Sequence, residues 1–384
     1  MRQADCPRGG PNLAALHPEL LEHILLYLRP SDVYTCLFVC KRITQIARHR
    51  PLHRHISLTY SASCVETLKY FIRHPHVRSL VRRIDTDEAL IEDEDKATYQ
   101  LALIELLPAL HTLDGLILSE EPTVTEGIID AVKHHQKMLQ HIRFPGPTHV
   151  PTKSLQMLLD VVRPVSLWLQ FIGWVDNLAL GRHLQQLRLA HMIFAQQEVL
   201  NVLRNLPGTL SVLQFDSCGL QVDLIANIAK FCPQLQFLAV TECYLDASQD
   251  SSIEAEVLRP FKSLRRFAIS SPFIIPLALV YLSCPLELVY LEGVDKLNVG
   301  WLALAFGHWQ IAEGGLKLMV AYDEDDAFAT GQELDALYVQ MFPVLYATVL
   351  MYLSQDLCVN RSVQLLCVPR GEFPHYQSSF EFYD

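Results

Sequence analysis

The chain has 384 residues, half of them hydrophobic and 19% charged, which excludes wholesale disorder and leaves ample material for a large core in two or three folded units. Its net charge of −11 is unevenly placed: residues 1–60 hold eight Lys/Arg against four Asp/Glu, a net of +4, and the remainder holds 23 against 38, a net of −15. So acidic a body repels phosphates and argues against nucleic acid as a partner. The first twelve residues are rich in Pro and Gly and contain no apolar run of the kind a signal peptide requires. Residues 16–50 then form a helical block. Leu20, Leu21, Ile24, Leu25 and Leu28 recur at helical spacing behind Pro18, a residue tolerated in a first turn. Pro30 stops that helix and Ser31 can cap the next, whose Val33, Cys36, Leu37 and Cys40 share a face. Ile43, Ile46 and Ala47 mark a third helix ended by Pro51. Three short helices this apolar cannot bury everything internally, so part of the surface is expected to meet a partner or the rest of the chain.

This block resembles an F-box. The family pattern is a Leu-Pro-x-Glu opening, an Ile-Leu pair, a Pro-x-Asp turn and a closing Val-Cys-Lys-x-Trp. Leu16, Glu19, Ile24, Leu25, Leu28, Pro30, Asp32, Val39, Cys40 and Lys41 stand at the matching positions. His17 replaces the usual proline, with Pro18 next, and Ile43 stands where the family has tryptophan. The resemblance spans residues 12–51 and implies docking on a Skp-type adaptor. It nominates Leu16, Pro18, Leu20, Ile24, Leu25, Leu28, Leu37, Val39, Cys40 and Ile43 as adaptor-binding residues.

Residues 52–112 read as an irregular first repeat or linker. Ile56 and Leu58 suggest a strand; Val65, Leu68, Phe71 and Ile72 a helix; Val77, Leu80 and Ile84 a second strand. Asp85, Asp87, Glu88 and Glu92–Asp95 suggest a solvated acidic loop before a helix starting near Tyr99. From residue 113 to 299 the template L-x-x-L-x-L-x-x-N/C-x-L recurs. Leu210, Leu213, Phe215, Cys218 and Leu220 make one nearly complete copy; Leu235, Leu238, Val240, Cys243 and Leu245 make another, 25 residues on. With weaker copies the starts fall at 113, 139, 164, 184, 210, 235, 264 and 286. Each L-x-L is a period-2 strand with its leucines in the core, and the segments between read as helices, such as Val199, Leu200, Leu203 and Leu206, or Ile225, Ile228 and Ala229. The expected fold is α/β: a leucine-rich-repeat solenoid with a parallel sheet on its concave face, preceded by a three-helix F-box.

Residues 300–384 lose the repeat. Strands at Leu316–Val320 and Val363–Val368, with a helical region at 333–353, are expected to cap the open end. The apolar stretches 273–291 and 338–353 are broken by prolines and fall short of the ~20 residues a membrane helix needs, so core is expected and membrane is not. The ten cysteines form no C-x-x-C pair and no regular disulfide spacing, which fits reduced thiols in the cytosol or nucleus.

Catalytic signatures are lacking: there is no G-x-G-x-x-G, P-loop, G-x-S-x-G or H-E-x-x-H. Asp323–Asp326 lacks the spacing of a calcium loop, and the pairs His74/His76 and His134/His135 lack zinc-ligand partners and read as surface histidines. Cys218 and Cys243, at equivalent repeat positions, read as small buried residues whose thiols bond the turn backbone. No cofactor and no enzymatic activity are expected. An F-box followed by leucine-rich repeats, an order similar to that of fungal F-box proteins, implies a substrate receptor linked through the adaptor to cullin and a RING subunit. The repeats would hold an unidentified protein substrate. The alternatives are a scaffold acting without ubiquitin transfer and, more remotely, an enzyme with its site in the C-terminal region. Residues beside the strand leucines should point outward in rows, giving Trp168, Gln170, Arg188, Gln214, Asp216, Phe237, Arg266 and Tyr290 as candidate substrate-binding residues, with Gln186, Thr241 and Glu292 beside them.

Overall fold

The computed structural model describes residues 16–26, 28, 30–49, 54–58, 61–86, 93–118, 125–135, 139–144, 152–170, 180–192, 201, 203–205, 208–220, 223–245, 255–270, 276–292, 305, 308–313, 315–322 and 363–369. The chain divides into two compact units, Met1–Gly173 and Trp174–Asp384.

The first unit opens with three helices, α1 (Pro18–Leu26), α2 (Pro30–Cys36) and α3 (Lys41–His49). Five parallel strands follow: β1 (His55–Ser57), β2 (Arg83–Asp85), β3 (Gly115–Ile117), β4 (His141–Phe144) and β5 (Ser166–Gln170), each pairing with the next. Helices α4 (Ser61–Arg73), α5 (Pro75–Arg78), α6 (Asp93–Leu106), α7 (Glu126–Val132) and α8 (Thr152–Val162) occupy the connections. Parallel strands need such crossovers, because a tight turn would reverse the chain. Residues 52–112 thus supply two full members of the sheet. Val77 and Leu80 do not lie in a strand: Val77 is on α5 and only Ile84 is in β2. The acidic residues Asp93–Asp95 form the first turn of α6 rather than a loop, where negative charge complements the helix dipole. Asp85 likewise closes β2.

The second unit continues the repeat with β6 (Gln186–Ala190), β7 (Val212–Asp216), β8 (Phe237–Thr241), β9 (Arg266–Ser270), β10 (Leu288–Glu292), β11 (Leu316–Tyr322) and β12 (Val363–Pro369). Each pairs in parallel with the next. The two expected C-terminal strands therefore belong to this sheet, Leu316 opposite Val363. Helix α9 (Leu224–Phe231) buries Leu224, Ile225, Ile228 and Ala229. The expected helical region 333–353, the Asp323–Asp326 cluster, and Val199, Leu200 and Leu206 lie outside the described residues.

Eight strands start two residues after the first leucine-type position of a repeat, from Gly115 after Leu113 to Leu288 after Leu286. The template leucines are almost completely buried, Leu113, Leu116 and Leu118 or Leu210, Leu213 and Phe215 alike. Past β6, β7 and β8 the backbone turns through His191, Ser217 and Glu242, all with φ near +50°. Cys218 and Cys243 follow the last two of these turns. The Cys218 thiol donates toward the carbonyls of Leu189 (3.4 Å) and Asp216 (3.3 Å), and its amide donates to Cys243 Sγ at 3.3 Å. Both cysteines are buried, and burial pushes the Cys243 thiol's pKa up, followed by its contact with Cys218. The burial and the backbone contacts expected of these two cysteines are both present.

Candidate functional site

The three N-terminal helices share a small core. Leu25, Val33, Leu37 and Ala47 pack together with Cys36 and Ile46 against them, and Cys40 and Ile43 pack beside Cys36. The Thr44 hydroxyl sits between the carbonyls of Leu37 (2.6 Å) and Cys40 (2.8 Å), closing the turn into α3. Arg42 Nη2 donates to Leu16 O at 2.7 Å and ties α3 to the start of α1. Burial and then the Asp32 carboxylate push the Cys36 thiol's pKa up.

Four of the adaptor-binding residues expected from sequence are therefore interior. Leu25, Leu37, Cys40 and Ile43 are buried in the unit's own core, because helices this short need every such residue to hold each other. Leu16 is half-buried. Pro18, Leu20, Ile24, Leu28 and Val39 are exposed. Leu20 (55% exposed) and Ile24 (36%) lie one turn apart on α1 and Leu28 (36%) lies just past its end, while Phe38 (66%) and Val39 (58%) are in the turn before α3. Phe38 was not selected from sequence. Its place in a turn, outside any helical period, hid it; a phenylalanine in a three-residue turn was the available signal.

On the sheets, the alternation is as expected but the exposure is not. Phe237, Tyr290, Gln214 and Asp216 are buried, as is Thr241. Phe237, Ala239, Ala268, Leu288 and Tyr290 make a second apolar cluster on the face away from the template leucines, with Val212 against it. Strands β7–β10 are thus covered on both faces. This corrects the expectation of an open row there. Arg266 and Arg188 are half-buried. Arg188 Nη2 donates to Asp216 Oδ2 at 2.7 Å, a pair whose side chains are only 11% and 12% exposed. Arg266 Nε stands 3.5 Å from Glu287, which also holds Arg265 at 2.5 Å.

The first unit is more open. Trp168 and Gln170 on β5 are half-buried, and the Arg143 guanidinium lies 3.3 Å from the centre of the Trp168 ring. His55 Nε2 is 3.8 Å from Asp85, and Arg83 Nε is 3.6 Å from Asp114. Burial, then the Arg83 charge, lowers the His55 pKa to about 4 and also lowers that of His141. His74 and His76 sit at the surface beside exposed Tyr70. His135, expected at the surface, is buried and donates from Nε2 to Leu107 O at 2.5 Å. Among the described residues no three His, Cys, Asp or Glu side chains are placed to hold a metal ion, and no helix is long and apolar enough to cross a membrane.

A small three-helix unit is thus followed by leucine-rich repeats on a parallel sheet, an architecture of protein-interaction modules. Residues 14–59 match the F-box-like family, so the helical unit is an F-box-like domain. No curated protein matches the chain. Among solved structures it is similar to the Rad7–Elc1 complex of yeast, at 14% identity over 80% of this chain and 89% of that one, with a TM-score of 0.43. It is also similar to the leucine-rich-repeat protein LegL7 of Legionella pneumophila, at 15% identity over 69% and 90%, with a TM-score of 0.44.

Proposed function

We propose that this chain is the substrate-recognition subunit of an SCF-type E3 ubiquitin ligase, cytoplasmic or nuclear. Its F-box-like domain docks on a Skp-type adaptor, and through it on cullin and the RING subunit. The observation that carries this reading is the apolar surface of Leu20, Ile24, Leu28, Phe38 and Val39, left uncovered on a domain already matched to the F-box-like family. The repeats hold a substrate protein, and the chain performs no chemistry itself. It raises the local concentration of substrate lysines near a charged conjugating enzyme. Affinity purification with and without a proteasome inhibitor tests this. Adaptor, cullin and an inhibitor-stabilised client are expected together; adaptor without cullin indicates a scaffold instead, and absence of the adaptor refutes the reading.

A further inference from the structure

Strands β1–β5 carry an outward face unlike the closed one on β7–β10. In register across the strands, one row reads His55, Arg83, Gly115, His141 and Ser166, and the next reads Asp85, Ile117, Arg143 and Trp168. All are half-buried except Gly115, which is buried. Gly115 has a steric reason to be glycine: a Cβ there would stand 2.9 Å from Arg83 Cγ. Arg83 therefore lies across the glycine, with its side chain 27% exposed.

Charge sets this face apart. Arg54 and Arg82, at the entrances of β1 and β2, join Arg83 and Arg143; among the described residues of these strands and their entrances, Asp85 and Asp114 stand against these four cations, a net of +2 on a chain of net charge −11. His55 and His141 flank Arg83 and are kept uncharged near neutral pH by burial and by that arginine, so they leave the cationic character to the guanidinium groups. Arg143 holds its guanidinium carbon 3.3 Å from the centre of the Trp168 ring, and a guanidinium group is suited to bidentate carboxylate binding. The tryptophan supplies a broad apolar surface beside it, the combination enriched at binding hot spots.

We propose that the outward face of β1–β5, centred on Arg83, Arg143 and Trp168, docks an acidic linear segment of a partner protein. Carboxylates of the segment engage Arg83 and Arg143, and an aromatic or aliphatic side chain between them packs on Trp168. The proposal deepens the receptor reading by giving the chemistry of the client, and rests on that reading only in calling the partner a client.

Fluorescence anisotropy on the full chain tests it, with a labelled random copolymer of glutamate and tyrosine as probe. A lysine–tyrosine copolymer and a single-stranded RNA serve as comparators. The acidic copolymer is expected to bind, more weakly as salt rises. Arg143→Gln and Trp168→Ala are each expected to weaken it at least tenfold, and Arg182→Glu, on an exposed turn outside this face, to leave it unchanged. Circular dichroism confirms folding, and Arg83→Gln replaces either variant that fails to fold. Absence of binding, equal or tighter binding of either comparator, or indifference to the face variants overturns the proposal. Adaptor capture measured on the same samples separates the two ideas. Intact capture with no copolymer binding rejects this face alone; lost capture with copolymer binding retained rejects the receptor reading alone.

Discussion

The adaptor face invites a test by neighbouring residues with opposite expectations. Leu20 and Leu21 are adjacent on α1, yet Leu20 is 55% exposed and Leu21 is 1% exposed. Fully burying a leucine or phenylalanine is worth ~1.5–3 kcal/mol. The exposed fractions of Leu20, Ile24, Leu28, Phe38 and Val39 then leave roughly 4–8 kcal/mol of apolar burial for a partner that covers them all. Phe38 has the largest share, about 1–2 kcal/mol, so Phe38→Ala should weaken adaptor binding about 5–30-fold. Leu20→Ala should cost a similar or slightly smaller factor, and Leu20→Asp should abolish capture because it also places an unpaired carboxylate in a dry interface. None of the three should lower the melting temperature appreciably. Leu21→Asp should instead unfold the helical domain, since its carboxylate would be buried within the domain itself. Calorimetric titration with a Skp-type adaptor, run beside thermal melts of each variant, separates binding from stability. Unchanged affinity in both Phe38→Ala and Leu20→Ala would refute the assignment of this surface.

Three further outcomes follow from the geometry. Asp216→Ala strands Arg188 in a nearly closed site and should cost ~3–5 kcal/mol in urea unfolding, whereas replacing both partners by Met and Leu should cost markedly less; equal costs would show the pair to be solvated. Native thiol labelling should spare Cys218, Cys232, Cys243 and Cys284, all buried and three of them with a pKa raised chiefly by burial, with half-buried Cys36 the first of the described cysteines to react. The His55 pKa is lowered from 6.5 to about 4, so between those values the unfolded chain binds a proton that the folded chain refuses. Stability is full above pH 6.5, falls as pH drops through that window and levels below pH 4. The loss from His55 is at most ~3 kcal/mol, and less given its 30% exposed ring; His135 and His141 act in the same direction. His55→Gln should flatten the dependence of melting temperature on pH, and an unaltered slope would place the imidazole in solvent.

Most of the repeat was legible because one physical rule wrote it. Leucine at the first, fourth and sixth positions is what a short strand on a shared core requires, and every start from 113 to 286 led to a strand. The same rule produced copies that a search for leucine passes over. Val81, Ile84 and Thr86 stand opposite the frame of Leu113, Leu116 and Leu118, as the pairing of Ile84 with Leu116 shows. β-Branched residues fill those positions equally well and suit a strand better than leucine does. Pro18 opens α1 as expected, but α1 ends at Leu26 and Pro30 opens α2 instead of stopping α1, so Ser31 lies inside α2 and does not cap it; both prolines occupy a first turn, where the missing amide costs nothing. The division of the F-box-like residues into core and surface was not legible. Leu37 is buried while Phe38 and Val39 beside it are exposed, and the difference arises from how three helices lean on one another rather than from any period in the sequence.

The misplaced substrate row has a different cause, and the sequence did carry its signature. Where only one face is buried, a strand alternates, as β5 does with Ser166, Leu167, Trp168, Leu169 and Gln170. Where both faces are buried, a parallel strand becomes a continuous apolar run. Strand β8 reads Phe237, Leu238, Ala239, Val240 and Thr241, and β10 reads Leu288, Val289, Tyr290, Leu291 and Glu292; neither alternates, and their described outward residues are buried. Taking every residue beside a leucine as solvent-facing applies the one-face rule to strands that obey the two-face rule. Alternation in β5 and its loss in β8 therefore distinguish a half-open strand of the first unit from a closed strand of the second. The difference assigns their aromatic residues different tasks: Trp168 stays half-buried on an outward side, while Phe237 and Tyr290 hold a second core.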